Sequence, residues 1–196
     1  KRADIQEAGR ARPGGVRGPA RAALRRLKPV RPDRAGCTRM ADPGAVLEWP
    51  QFTVALDPAT GALRQLRERR NGRIWASPGH PLALFAYQAF SQGDYDRYLK
   101  QYLTARPEWA LHCLGRPGLE KLAVASRTWL PRLRSAWHRE DAGGDSLLVE
   151  LEMPGVAGKG VSGAPALVTL EYVVSRKEPE VGISLQWFGK RATRLP

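Results

Sequence analysis

The sequence predicts a mainly β chain: an antiparallel β-sandwich with one short inserted helix, behind a basic N-terminal segment that is partly helical or disordered. Three observations lead there. Phe52-Thr-Val-Ala-Leu-Asp57-Pro-Ala-Thr-Gly61-Ala-Leu63-Arg-Gln-Leu66 contains two alternating strands and their turn, with Pro58 fixing φ and Gly61 free to take φ > 0. Short alternating runs bounded by turn residues then recur to the end of the chain. Upstream of Val46 the composition shifts to Arg, Ala, Gly and Pro without a repeat, so residues 1–45 read as one segment and 46–196 as a partial sandwich domain.

Taken in order, Pro13, Gly14, Gly15 and Pro19 break any helical pattern in residues 1–20. Residues 20–28 allow about two helical turns with Leu24 and Leu27 on one side, stopped by Pro29 and Pro32. Strands are expected at 52–57, 62–66, 73–76, 82–90, 127–137, 146–152, 166–175 and 181–188. Within them Val181, Ile183, Leu185 and Trp187 form a one-sided stripe, which assigns Trp187 to the core. Trp129 and Trp137 share parity with Leu133 and Ser135, so one face of that strand is expected to line the second sheet. The single helix starts at Ser91-Gln-Gly-Asp94, which has capping-box spacing, and carries Tyr95, Tyr98, Leu99 and Tyr102 at spacings of three and four before Pro107. The start without Met and the finish directly after a strand read as a fragment of something longer.

Charge and composition bound the function. Residues 1–40 hold twelve basic side chains against Asp4, Glu7 and Asp33, a surplus of nine; the rest of the chain contributes four of the net +13. A basic arm of this kind suits phosphates, but Arg outnumbers Lys 25 to 7 and Ala, Gly and Pro abound, a bias that GC-rich coding produces without a nucleic-acid partner. No run approaches the roughly 18 apolar residues of a membrane span. Two cysteines, Cys37 and Cys113, form no disulfide framework, and a cytoplasmic, reducing location is the default.

Catalytic signatures are weak. His80, His112 and His138 lie on separate segments with no i,i+4 or i,i+2 pair, so neither metal nor cofactor is expected within this chain. Ser77, Ser91, Ser126 and Ser162 lack nucleophile-elbow surroundings. The run from Pro154 to Gly163 resembles a phosphate-binding loop in composition only, and Glu140-Asp141 before Gly143-Gly144 reads as a solvated hairpin tip. Asp94, Asp96, Tyr95, Tyr98 and Tyr102 have the chemistry of a sugar site, carboxylates for hydroxyl pairs and rings for apolar sugar faces. Capping and packing explain the same residues without a ligand, and that is the stronger reading.

The hairpin Leu56 to Leu63, the element Leu84-Phe-Ala-Tyr87-Gln-Ala-Phe90-Ser91-Gln-Gly-Asp94-Tyr95-Asp-Arg-Tyr98, and the ending Trp187-Phe-Gly-Lys190-Arg-Ala-Thr-Arg194-Leu-Pro196 together resemble an uncharacterised bacterial and fungal relative of the family 38 glycoside hydrolases, the α-mannosidase type. The resemblance covers about three quarters of the chain. It implies a galactose mutarotase-like sandwich that comes after a catalytic domain and a helical bundle, with residues 20–28 as the end of that bundle. It also implies that zinc and the nucleophilic Asp belong to the upstream catalytic domain; no residue here matches those motifs, so this portion is expected to be inactive alone. A carbohydrate partner is implied, with Tyr87, Asp94, Tyr95, Tyr98, Lys190 and Arg194 as its contacts. A stand-alone carbohydrate-binding module is the alternative, and a nucleic-acid-binding protein a weaker one.

Overall fold

A computed structural model describes residues 17–26, 30–105, 107–122, 124–154 and 163–190. The chain divides into two units, Lys1–Arg31 and Pro32–Pro196. The first contains helix α1 (Arg17–Arg26), which begins three residues before the expected start at 20: Gly18 and Pro19 occupy its first turn, where the missing proline N–H leaves no helical bond unmade, and Ala and Arg follow; expected helical residues 27 and 28 lie outside the described residues, as does most of the Gly-rich run 154–163.

The second unit is antiparallel β throughout its sheets. One sheet has the order β1 (Thr38–Arg39), β8 (Arg132–Glu140), β9 (Gly144–Glu152), β10 (Leu167–Ser175), β11 (Val181–Phe188); another has β2 (Leu47–Glu48), β3 (Phe52–Leu56), β4 (Leu63–Glu68), β5 (Ile74–Ala76). A third pairs β6 (Tyr87–Ala89) with β7 (Arg127–Trp129). The unit begins earlier than the composition shift at 46 suggested, because Thr38 and Arg39 pair with β8 and Met40 packs on the core.

Alternation builds the core between the two larger sheets. Phe52, Val54, Leu56, Leu63 and Leu66 from one meet Leu147, Val149, Leu151, Val168, Leu170, Tyr172 and Val174 from the other, all buried. At about 1.5–3 kcal/mol for each large apolar side chain taken from water, this cluster is the main source of stability. The first hairpin has the expected chemistry: Asp57 Oδ1 accepts from the Ala59 and Thr60 amides at 2.8 Å each, and Gly61 turns at φ +73°. Burial works against ionisation of Asp57, yet the Thr60 and Ala59 amides hold its carboxyl below the ordinary carboxylate value. The turn also joins the sheets, since Leu133 N–H donates to Ala59 O and Tyr172 Oη to Gly61 O.

Several sequence expectations are corrected. The run 82–90 is a strand only at 87–89, because Leu82 makes a lone bridge to Leu63 and the chain then leaves the sheet. The run 127–137 is two strands parted at Leu130-Pro131, and the second has a register shift between Leu133 and Ser135. That one-residue irregularity reverses the facing of the residues beyond it. Leu133 packs against the core, whereas Trp137 sits opposite Leu148 with the Arg34 guanidinium 4.0 Å from its ring centroid. Trp129, on the other strand, belongs to the small sheet. Trp187 is 48% exposed rather than core, because β11 lies at the end of its sheet. The inserted helix α2 (Gln92–Tyr102) is succeeded by α3 (Glu108–Leu114) and a 3-10 turn, Leu119–Leu122, neither of which has a clear apolar repeat. No helix among the described residues is long and apolar enough to cross a membrane.

Candidate functional site

Helix α2 starts at a complete capping box: Ser91 Oγ accepts from the Asp94 amide at 3.3 Å, and Asp94 Oδ2 accepts from the Ser91 amide at 2.8 Å. Asp94 Oδ2 also accepts from the hydroxyls of Ser91 and Ser126, and Oδ1 pairs with Arg97. The Ser126 hydroxyl, with help from Ser91, holds the Asp94 carboxyl down to about 2. Each oxygen of Asp94 is thereby engaged, tying the helix start to the residue preceding β7. A carboxylate so occupied is a structural clasp.

The remaining residues of α2 divide by face. Leu99 is buried; Tyr95 is half-buried with its ring edge-on to Phe90 at 6.3 Å. Tyr98 stacks at a tilt on Tyr102, 5.2 Å between centroids, and both are exposed. Asp96 accepts from Gln92 Nε2 at 3.0 Å.

Strands β6 and β7 assemble a second group. Their register sets Tyr87 opposite Trp129, with ring centroids 6.0 Å apart. Lys190 Nζ stands 6.0 Å from the Tyr87 ring and the Arg127 guanidinium 5.2 Å from the Trp129 ring, so a cation flanks each aromatic. Burial raises the Tyr87 phenol pKa; the Gly163 amide offsets this in part without closing a well-formed hydrogen bond. Tyr87 Oη and Trp129 Nε1 are both buried without a partner among the described residues, unlike most buried polar atoms.

Of the six residues singled out from sequence, Tyr87 and Lys190 meet; Asp94, Tyr95 and Tyr98 lie on α2; and Arg194 lies outside the described residues. Tyr87 and Ser91 are four residues apart in the chain, which bounds their separation at ~14 Å at about 3.6 Å per residue. Trp129, Arg127 and Ser126 were missed as site residues. Pro131 was the available signal, since a proline inside a strand run argues for a break and hence for a separate partner for β7. The aromatic pair with flanking donors has the chemistry to stack against an apolar ring face and hydrogen-bond acceptors at its rim.

No group of three or more His, Cys, Asp or Glu is arranged to hold a metal among the described residues. His112 lies 3.5 Å from Glu108, His138 4.0 Å from Glu140, and Cys37 and Cys113 are free. The hairpin tip at Glu140-Asp141 is as expected, Asp141 Oδ1 accepting from the Gly143 and Gly144 amides. Beside it, unforeseen, Asp145 is fully buried and pairs with Arg176; this raises the Arg176 pKa further.

A family model described as a domain of unknown function (DUF5054) matches residues 1–182. No curated protein and no solved structure matches the chain.

Proposed function

On the premise that the chain belongs to the DUF5054 family, we propose that it is the non-catalytic β-sandwich portion of a glycoside hydrolase-like protein of the α-mannosidase type. Its role is to support a catalytic domain of the same polypeptide and to present a carbohydrate-contact surface. The supporting observation is the cross-strand Tyr87–Trp129 pair flanked by Lys190 and Arg127, with Tyr87 Oη and Trp129 Nε1 buried and without a partner among the described residues. Stacking on such a pair suits the apolar face of a pyranose, and the two cations suit its hydroxyl oxygens. Any zinc chemistry belongs to the catalytic domain. The free thiols of Cys37 and Cys113 accord with a reducing cytoplasm.

The same pair also favours a second reading, a self-sufficient carbohydrate-binding module. Titration of the 196-residue chain with methyl α-mannoside and with oligomannosides, monitored by tryptophan fluorescence and calorimetry, tests both. Binding that falls at least tenfold, about 1.4 kcal/mol, in Trp129→Ala and in Tyr87→Ala, with far-UV dichroism unchanged, supports the surface. Tight binding by the chain alone favours the module, and weak binding that strengthens when a catalytic domain is fused upstream favours the support role. Unaltered binding in both variants refutes the surface, and mannoside hydrolysis by the chain alone refutes the non-catalytic assignment.

A further inference from the structure

Side chains along β6 and β7 alternate between two faces, and the register gives the face of Tyr87 and Trp129 one further cross-strand pair, Ala89 opposite Arg127. That face carries two rings, a methyl and a guanidinium, while Gln88 and Thr128, whose side chains can accept a hydrogen bond, belong to the other. Lys190 adds an ammonium 6.0 Å from the Tyr87 ring. An indole nitrogen, a guanidinium and an ammonium only donate; of the polar groups on this face the Tyr87 hydroxyl alone can also accept. A neutral sugar hydroxyl is donor and acceptor at once and is held best by partners of both kinds. A carboxylate or a sulfate ester only accepts, and so matches a face made of donors.

Charge points the same way. Asp94 clasps the residue before Arg127, but its oxygens are taken by Ser91, Ser126 and Arg97. Glu152 stands in the same cross-strand row as Phe188, close in sequence to Lys190, and is held by Arg132. Among the described residues no carboxylate pairs with Lys190 or with Arg127, and both residues are exposed. We infer that the carbohydrate taken by this surface is acidic: a pyranoside whose ring stacks on the Tyr87–Trp129 pair and whose anionic substituent, a carboxylate or a sulfate ester, pairs with Lys190 and Arg127. This rests on the carbohydrate reading of the same surface and narrows it to one class of ligand.

The test is calorimetric titration of the 196-residue chain with a neutral oligomannoside, an oligomannuronate of the same length and a sulfated oligomannoside. The acidic probes are expected to bind at least tenfold more tightly than the neutral one in dilute buffer, an advantage that shrinks severalfold as salt rises from about 20 to about 500 mM. Either order of the two acidic probes supports the inference, and the tighter one identifies the anion. Lys190→Gln and Arg127→Gln are each expected to cut the acidic-over-neutral preference severalfold with far-UV dichroism unchanged, and Lys190→Arg, which keeps the charge, to retain it. Equal affinity for neutral and acidic probes, lost in Trp129→Ala, overturns the acidic assignment and leaves the carbohydrate surface standing; binding of none of the three overturns both. A preference indifferent to both Gln variants also overturns the assignment, since the attraction would then come from the net charge of +13 at large. So does equal affinity for inorganic sulfate, which has no ring to stack, or for a single-stranded oligonucleotide, which would make the surface one for nucleic acid.

Discussion

Replacing Gly61 by alanine sets two costs at one atom. The backbone there turns at φ +73°, where an L side chain brings its Cβ against the neighbouring carbonyl at about 1–2 kcal/mol. A Cβ would also stand 2.6 Å from Leu151 Cδ2 and 2.9 Å from Val149 Cγ1, inside any real contact distance. Both neighbours are fully buried, so they yield only by displacing core, an overpacking cost of about 1–3 kcal/mol. Against this, alanine restricts the unfolded chain and returns about 0.4–1 kcal/mol. The expected net loss is about 1–4.5 kcal/mol, read as a lower urea midpoint at unchanged slope. Two companions separate the terms. Gly118 has φ +92° with nothing within 4 Å of its Cβ position, so Gly118→Ala is expected to lose backbone strain alone, about 1–2 kcal/mol before the same unfolded-chain offset. Gly79 has neither feature, and Gly79→Ala is expected to stay within about 0.5 kcal/mol of the parent. If Gly61→Ala costs no more than Gly118→Ala, the hairpin does not press on the facing sheet and the packing argument fails.

Carboxyl resonances tracked by NMR are expected to show Asp94 titrating at about 2, well under the ordinary 3.8, and Ser126→Ala is expected to move that midpoint upward. Because the folded value is the lower one, the stabilisation by Asp94 is present above about 3.8 and lost as pH falls toward 2; a midpoint near 3.8 in the parent would contradict the clasp. Arg176→Met leaves the fully buried Asp145 without its cation and is expected to lower the urea midpoint far more than the double variant Arg176→Met/Asp145→Leu; equal losses would show that the pair is not coupled. Leu147→Ala, in the closed part of the core, is expected to cost about 2–5 kcal/mol by denaturant titration, whereas Leu185→Ala is expected to cost under about 1 kcal/mol.

Elements that depend on local chemistry were legible in the sequence. The turn at Asp57 to Gly61 and the cap at Ser91 and Asp94 are short-range hydrogen-bond patterns, and a clean period of two marks the bounds of β11. The features that escaped depend on partners distant in the chain. Periodicity cannot report a one-residue bulge, so it assigned Trp129 and Trp137 to a common face that the irregularity near Leu133 divides. It also cannot report how many strands the opposite sheet has, and so it placed Trp187 inside. Helix α3 is seven residues long and buries only Ala110, too little to leave a pattern.

The candidate site shows the same division in chemical terms. Asp94 and Tyr95 were conspicuous because capping and helical spacing make residues conspicuous, and the structure assigns them to those tasks. Tyr87 drew notice only within a motif, yet its hydroxyl, like the Trp129 indole nitrogen, is buried with no partner among the described residues. An unpaired buried polar group costs about 1–3 kcal/mol, so two that lack partners among the described residues are a cost that hydrogen bonds from a ligand would offset. That cost, and not the abundance of tyrosine around Asp94, is the physical reason to look for carbohydrate at β6 and β7. Lys190 and Arg127 each stand over one ring of the pair, which makes Lys190→Ala and Arg127→Ala the variants that separate rim hydrogen bonding from ring stacking.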